Sequence, residues 1–177
     1  MPDQEHRNIV TISKGGQSLE DTQEKIRAYT NSHREGSIWE ALDIKLVSAE
    51  KGKIVATMTI GPNNRQQLGY LHGGASVVLA ESLASIGSAL IIDQTRQMAF
   101  GLEINANHVR PKRDGTVTGV AELIARGRTT HVWDIKINDE RNKLICVSRC
   151  TIAIVDQPPP DDNPFVQGLL EQGQLSE

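Results

Sequence analysis

The reading of the fold turns on one stretch, Leu71-His72-Gly73-Gly74-Ala75-Ser76-Val77-Val78-Leu79-Ala80-Glu81-Ser82-Leu83-Ala84-Ser85-Ile86-Gly87-Ser88-Ala89-Leu90-Ile91-Ile92. Small and apolar residues run round almost its whole circumference, which predicts a helix enclosed on all sides rather than one lying on a surface. Glu81 is its only charged residue. A carboxyl in the middle of such a helix is costly to bury without a partner or a shifted pKa, so Glu81 calls for an explanation in chemistry or in a specific pairing. The run approaches the ~20 residues that a bilayer span needs. Its serines, His72, Glu81 and the polar flanks argue instead for the core of a soluble domain.

Outward from this helix, residues 93–97 form a polar connector. Four strand candidates follow at 98–111, 116–126, 129–138 and 143–155. They are joined by short, turn-like segments at 113–115, 127–128 and 138–142, which favours antiparallel neighbours. On the other side, residues 61–70 are loop by their Gly, Pro and Asn content. Before that loop, Leu42, Ile44 and Leu46 alternate with Asp43 and Lys45 in a strand expected over 37–49, and Ile54, Ala56, Met58 and Ile60 mark a second one. The turn at 50–53 makes them a hairpin. The expected class is therefore α+β: an antiparallel sheet of six strands around one long helix. An added N-terminal helix opens at Ser18-Leu19-Glu20-Asp21, with Ser18 as its cap and Leu19, Thr22, Ile26 and Tyr29 on its inner side. Three segments result: an arm and helix over 1–35, the sheet domain over 36–156, and a Pro-rich acidic tail over 157–177 that stays out of the sheet.

Composition narrows the function. With 177 residues, 38% hydrophobic and 23% charged, the chain is expected to form one soluble domain with modest extensions. A net charge of -3 and 3% aromatic residues argue against a nucleic-acid partner, which would need excess cations for phosphates or rings for stacking. The N-terminus lacks a basic flank followed by an apolar core, so no secretory signal and a cytoplasmic location are expected. Cys146 and Cys150 fall four apart in a strand, roughly 13 Å from each other, too far for a disulfide. They have no metal-ligand partners nearby, and no metal is assigned. A twisted sheet covers only one side of an apolar helix. A second copy of the chain is the economical cover for the other side, with the N-terminal helix as the alternative.

Three motifs together carry a resemblance. Gln66-x-x-Gly69-x-Leu71-His72-Gly73-Gly74-Ala75, then Leu79-Ala80-Glu81-Ser82, then Glu103-x-Asn105-x-x-His108-x-Arg110-Pro111 resemble the hotdog-fold acyl-CoA thioesterases. The resemblance is to the group with a helix glutamate that includes 4-hydroxybenzoyl-CoA and 1,4-dihydroxy-2-naphthoyl-CoA thioesterases, and it spans residues 36–155. It implies a hotdog fold and hydrolysis of an acyl-CoA, aryl-CoA by preference, to free acid and CoA. No cofactor is implied beyond the coenzyme A moiety of the substrate. The glutamate, Glu81, acts in that family as nucleophile or general base. Gln66 and His72 shape the oxyanion end, and His108 lies near the acyl group. The resemblance further implies a homodimer with active sites at the interface, paired again into a dimer of dimers, with no membrane partner.

The residues can be weighed without the family. Gly73 and Gly74 stand where loop becomes helix, so their N–H groups are unpaired, the dipole is positive and no side chain blocks an approaching oxygen. That suits a developing oxyanion, although a tight turn would also use Gly-Gly. Glu81 lies nine residues after His72, roughly 13 Å along one helix. The two cannot attend one carbonyl from a single chain, so joint action requires two chains. Ser85, at i+4 from Glu81, either orients the carboxylate or simply admits close packing. His108 extends the apolar alternation of Met98, Phe100, Leu102, Ile104 and Ala106, which leaves a core histidine as the rival to a substrate contact. Arg110, Lys112, Arg113, Arg126 and Arg128 fall at strand ends or turns, where they would suit the phosphates of coenzyme A or be ordinary solvated charges. The turn Gly127-Arg128-Thr129-Thr130 resembles the Gly-Arg turn of relatives, which singles out Arg128 and Thr129. His131 is read as structural. Besides thioester hydrolysis, a hotdog hydratase or dehydratase and a non-catalytic acyl-CoA-binding protein are the competing readings.

Overall fold

The computed structural model describes residues 19–32, 34–94 and 96–156. The arm, its Ser18 cap and the tail lie outside the described residues, as do the side chains of Leu19, Thr22 and Tyr29. Helix α1 spans Leu19–Ser32 and a single-turn helix α2 spans Ile38–Ala41. Strands β1 (Ile44–Glu50) and β2 (Lys53–Thr59) form the hairpin. The long helix α3 covers Gly73–Ala89, and strands β3 (Gln97–His108), β4 (Thr116–Arg126), β5 (Thr130–Asp139) and β6 (Leu144–Asp156) follow. All pairings are antiparallel, in the order β1-β2-β4-β5-β6-β3. Helix α3 crosses one face and touches every strand. This is the hotdog arrangement.

The helix is held by small residues that let large ones in. A Cβ on Gly87 would lie 2.3 Å from the Trp133 ring, so only glycine allows that indole against the helix. The adjacent Ser88 hydroxyl accepts the Trp133 indole N–H at 2.9 Å, which satisfies the one polar atom of a fully buried ring. Across the helix, Leu79 and Leu83 nest over Gly119 of β4. Leu79, Ala80, Leu83 and Ala84 are fully enclosed with Ile54, Met58, Ile135, Ile137 and Ile152 of the sheet.

Two expectations are corrected. The strand expected over 37–49 starts at Ile44, because residues 38–41 close one helical turn and Asp43 takes a left-handed φ of 51°. The second correction concerns β3. A bulge falls between Gly101 and Glu103, and it reverses the alternation. Ala99, Ile104 and Ala106 pack on the core, whereas Phe100 and Leu102 are exposed. The apolar face written as Met98, Phe100, Leu102 and onward is thus not one face. Within the single chain α3 is covered on one side, as expected of a sheet that reaches only one face of it, and a stripe bearing Val77, Val78, Glu81, Ser82, Ser85 and Ile86 stays half-buried.

Helix α1 does not cover that stripe. It packs on β1, burying Ile26, and Asn31 reaches the strand itself. The Asn31 side-chain amide donates to Leu46 O at 3.0 Å and its oxygen accepts from Leu46 N at 2.9 Å. One side chain so stands in for a neighbouring strand where β1 is irregular, between Leu46 and Ser48.

Cys146 and Cys150 are free and buried. Burial pushes the Cys150 thiol up to about 12, helped by the negative charges of Glu81 and Glu103, and burial also raises Cys146. Both are inert as nucleophiles. Among the described residues no helix is long and apolar enough to cross a membrane.

Candidate active site

The site begins with the loop that leads into α3. Buried Asn64 donates from its amide to Leu42 O at 3.1 Å and Thr59 O at 2.8 Å and accepts Gly61 N–H at 2.8 Å. Its own carbonyl accepts His72 N–H at 2.8 Å. Every polar group of this asparagine is satisfied, and all of them pin the loop. Two residues on, the Gln66 side-chain oxygen accepts the Leu68 N–H. The bond fixes which end of the amide is which and leaves its NH2 as the remaining donor. Gly69, at φ +80°, lets the chain turn back so that Gln66 N donates to Tyr70 O.

His72 caps α3. Its Nδ1 accepts Gly74 N–H at 2.9 Å, which makes Nε2 the protonated nitrogen of the neutral ring. The N–H of Gly73 lies in the first turn, where helix geometry supplies no carbonyl partner. His108, at the far end of β3, closes over the same place: a Cβ on Gly73 would sit 2.7 Å from His108 Nε2. His72, Gly73, Gly74 and His108 therefore meet at the start of α3, and Gln66 lies on the loop that leads into it.

Glu81 is elsewhere. It lies eight residues along α3 from Gly73, about 12 Å away, on the half-buried stripe with Ser85 one turn further. Its carboxylate lies over the backbone of Gly101 on β3, where a Cβ would come within 2.0 Å of Oε1. Strand β3 pairs with β6 on one side only and is an edge of the sheet, so this carboxylate sits on an edge strand.

The basic residues divide into two groups. Arg110, Lys112 and Arg113 follow β3, near the start of α3. Arg126, Arg128 and Thr129 lie at the opposite end of β4, whose 11 residues span roughly 35 Å. Arg126 donates to Ile91 O at 3.3 Å just beyond the end of α3. Thr129 O accepts Ile154 N–H at 2.8 Å, and Arg128 is exposed. Lys112 is matched to Glu140 at 2.7 Å, while Arg110 faces a groove of about 480 Å³ whose lining mixes Arg141 and Lys143 with Asp114, Asp139 and Glu140. Arg113 stacks on Tyr70, 4.0 Å from the ring centroid. His131 is buried, and among the described residues its Nδ1 has no hydrogen-bond partner. Burial and then the Arg126 charge lower its pKa below 6.5; the two are register partners on β5 and β4.

Sequence reading passed over Asn64, Tyr70, Gly101 and Glu140. Only Gly101 carried a signal, since a glycine inside an apolar strand marks a bulge or a close approach.

The chain matches the family model of the thioesterase superfamily over residues 68–146. It is 54% identical over 115 residues to a 1,4-dihydroxy-2-naphthoyl-CoA hydrolase of Listeria monocytogenes, covering 65% of this chain and 93% of the relative. It is 44% identical over 125 residues to the Escherichia coli protein of the same name, covering 71% and 91%. A substituted thioesterase of Pseudomonas aeruginosa superposes with a TM-score of 0.72 at 42% identity, covering 74% of this chain and 94% of the other. The chain belongs to the thioesterase superfamily. Thioester hydrolysis is the class of its reaction.

Proposed function

We propose that this protein is a homodimeric acyl-CoA thioesterase acting on aryl-CoA esters, each active site combining the α3 start of one protomer with Glu81 of the other. The observation that carries this reading is the separation of about 12 Å between Gly73 and a Glu81 carboxylate that faces an open sheet edge. A thioester carbonyl cannot span that gap within one chain, and a second copy laid on the half-buried stripe would close it. The names of the Listeria and Escherichia coli relatives support an aryl-CoA substrate.

In this site the Gly73 N–H donates to the thioester oxygen, and the bond strengthens as the oxygen becomes an oxyanion. The Gln66 NH2 and His72 Nε2–H are the further donors at that end, and His108 borders the acyl group. Glu81 then works in one of two ways. As nucleophile it attacks the carbonyl carbon, the C–S bond breaks, the CoA thiolate takes a proton from water, and a second water hydrolyses the mixed anhydride. As general base it takes a proton from the attacking water and passes it to the leaving sulfur. Ser85, one helical turn on from Glu81, would orient the carboxylate. Arg110 and Arg128 are assigned to the phosphates of coenzyme A. One nucleotide would draw them from different protomers, because they lie at opposite ends of β4.

Release of thiol from a panel of aroyl-CoA and alkanoyl-CoA esters tests the reading. Glu81→Ala is expected to lower turnover by more than ~100-fold with folding intact. Turnover that survives the substitution removes Glu81 from the reaction, and hydration of an enoyl-CoA without thiol release would point to a hydratase instead.

A further inference from the structure

Glu140 lies in the turn between β5 and β6, far in sequence from every residue assigned above. Its Oε2 accepts Lys112 Nζ at 2.7 Å and its Oε1 accepts the Thr116 N–H. These two partners bracket the connector between β3 and β4. Gly115, at φ +79°, keeps the space open: a Cβ there would fall 1.9 Å from Glu140 Oε1. The Lys112 side chain is only 14% exposed, so its ammonium is largely enclosed by this pairing. Together these bonds hold Glu140 well below the ordinary carboxylate range, at about 2.

The same connector grips the loop leading into α3. Leu71 N donates to Lys112 O at 2.7 Å and Ile60 N to Gly115 O at 2.8 Å. Arg65 Nε donates to Arg113 O at 3.0 Å, and the Arg113 guanidinium stacks on Tyr70. The next residues after Leu71 are His72, whose ring caps α3, and Gly73. A continuous path of hydrogen bonds and covalent links therefore runs from Glu140 through Lys112 and Leu71 to the amide that meets the substrate.

We propose that Glu140 is a positioning residue: by anchoring Lys112 and Thr116 it fixes the β3–β4 connector, and through it the start of α3 and the direction of the Gly73 N–H. The proposal rests on the reading of Gly73 as oxyanion donor. It reassigns Lys112 from a phosphate ligand to one half of a strut. A single ion pair whose carboxylate is 48% exposed adds little to stability, whereas small displacements of a donor are costly to rate, so the strut should register in turnover before it registers in melting.

The test uses the full chain, benzoyl-CoA, and S-benzoyl-pantetheine, which lacks the nucleotide phosphates. Glu140→Gln keeps the size of the side chain and an acceptor for Thr116 but removes the charge. It should lower kcat about tenfold for both esters while KM moves less than about twofold. Lys112→Met should do the same, the double variant should be no worse than either single one, and Lys112→Arg should recover most of the loss. Amide hydrogen exchange across residues 66–74 should quicken about tenfold in Glu140→Gln, with exchange in β5 unchanged. Unaltered exchange there in both variants overturns the strut. So does a KM increase confined to the CoA ester, which would make Lys112 a phosphate ligand. Should the wild type release thiol from neither ester, the benzoyl group is not its substrate, and the exchange rates alone then decide the strut.

Discussion

At Gly101 the absence of a side chain makes room for a carboxylate. A Cβ at that position would collide with Glu81 Oε1, so Gly101→Val should push the Glu81 carboxylate off β3 and cut turnover by about tenfold or more, read by thiol release beside a circular-dichroism melt. A variant that folds and turns over normally would show that Glu81 works from another position. His131 poses a pH question. Burial and the facing Arg126 charge lower its pKa in the folded chain, whereas the unfolded chain takes up its proton near 6.5. Protons therefore favour the unfolded state, and stability should decline as pH drops below about 6.5. Urea unfolding at pH 7.5 and 5.0 measures the slope, and His131→Phe should flatten it. The carboxylate of Glu140, held at about 2, acts in a separate window: its contribution is present above about 4.5 and is lost as pH falls toward 2.

Among the elements, the legibility of the sequence varied for physical reasons. Helix α3 was readable to within three residues and strands β4, β5 and β6 to within one, because a long run of small and apolar residues marks the helix and short polar turns bound the strands. Strand β3 was not, since a bulge inserts one residue without any change of composition and everything beyond it swaps faces. That is why His108 comes to lie beside Gly73 although Phe100, written on the same face, points away. The contact of Trp133 with Gly87 and Ser88 is likewise invisible in one dimension, because pairing between a strand and a helix 45 residues away leaves no local trace. Helix α1 was expected as a possible cover for α3, and its role is different. With Asn31→Ala the Leu46 N–H and C=O lose their partners, which should cost about 1 kcal/mol in urea unfolding and expose β1 to other strands. Light scattering that stays flat at high concentration would show that the rest of α1 suffices.

For the whole molecule, the constellation at the start of α3 and the lone carboxylate at its middle make a mixing experiment decisive. Glu81→Gln chains and Gly73→Val chains should each be inactive. If sites are shared between protomers, randomly re-paired mixtures regain one sound site in each mixed dimer, about one quarter of wild-type turnover. Sites contained in single chains would stay dead in every mixture. The family membership and the six-stranded sheet around one helix were both accessible from three short motifs, whereas the division of basic residues between the two ends of β4 was not. Strand length sets that distance, and adjacency in a list of arginines carries no length.

The asparagine plug on β1 has a consequence for how many copies can join. A sheet with two free margins can keep adding neighbours indefinitely, as fibres do. Here one margin has the chain's own Asn31 bonded at Leu46 and the other, β3, has no strand on its outer side among the described residues, so if two β3 margins were to meet, only the Asn31-bearing ones would face outward.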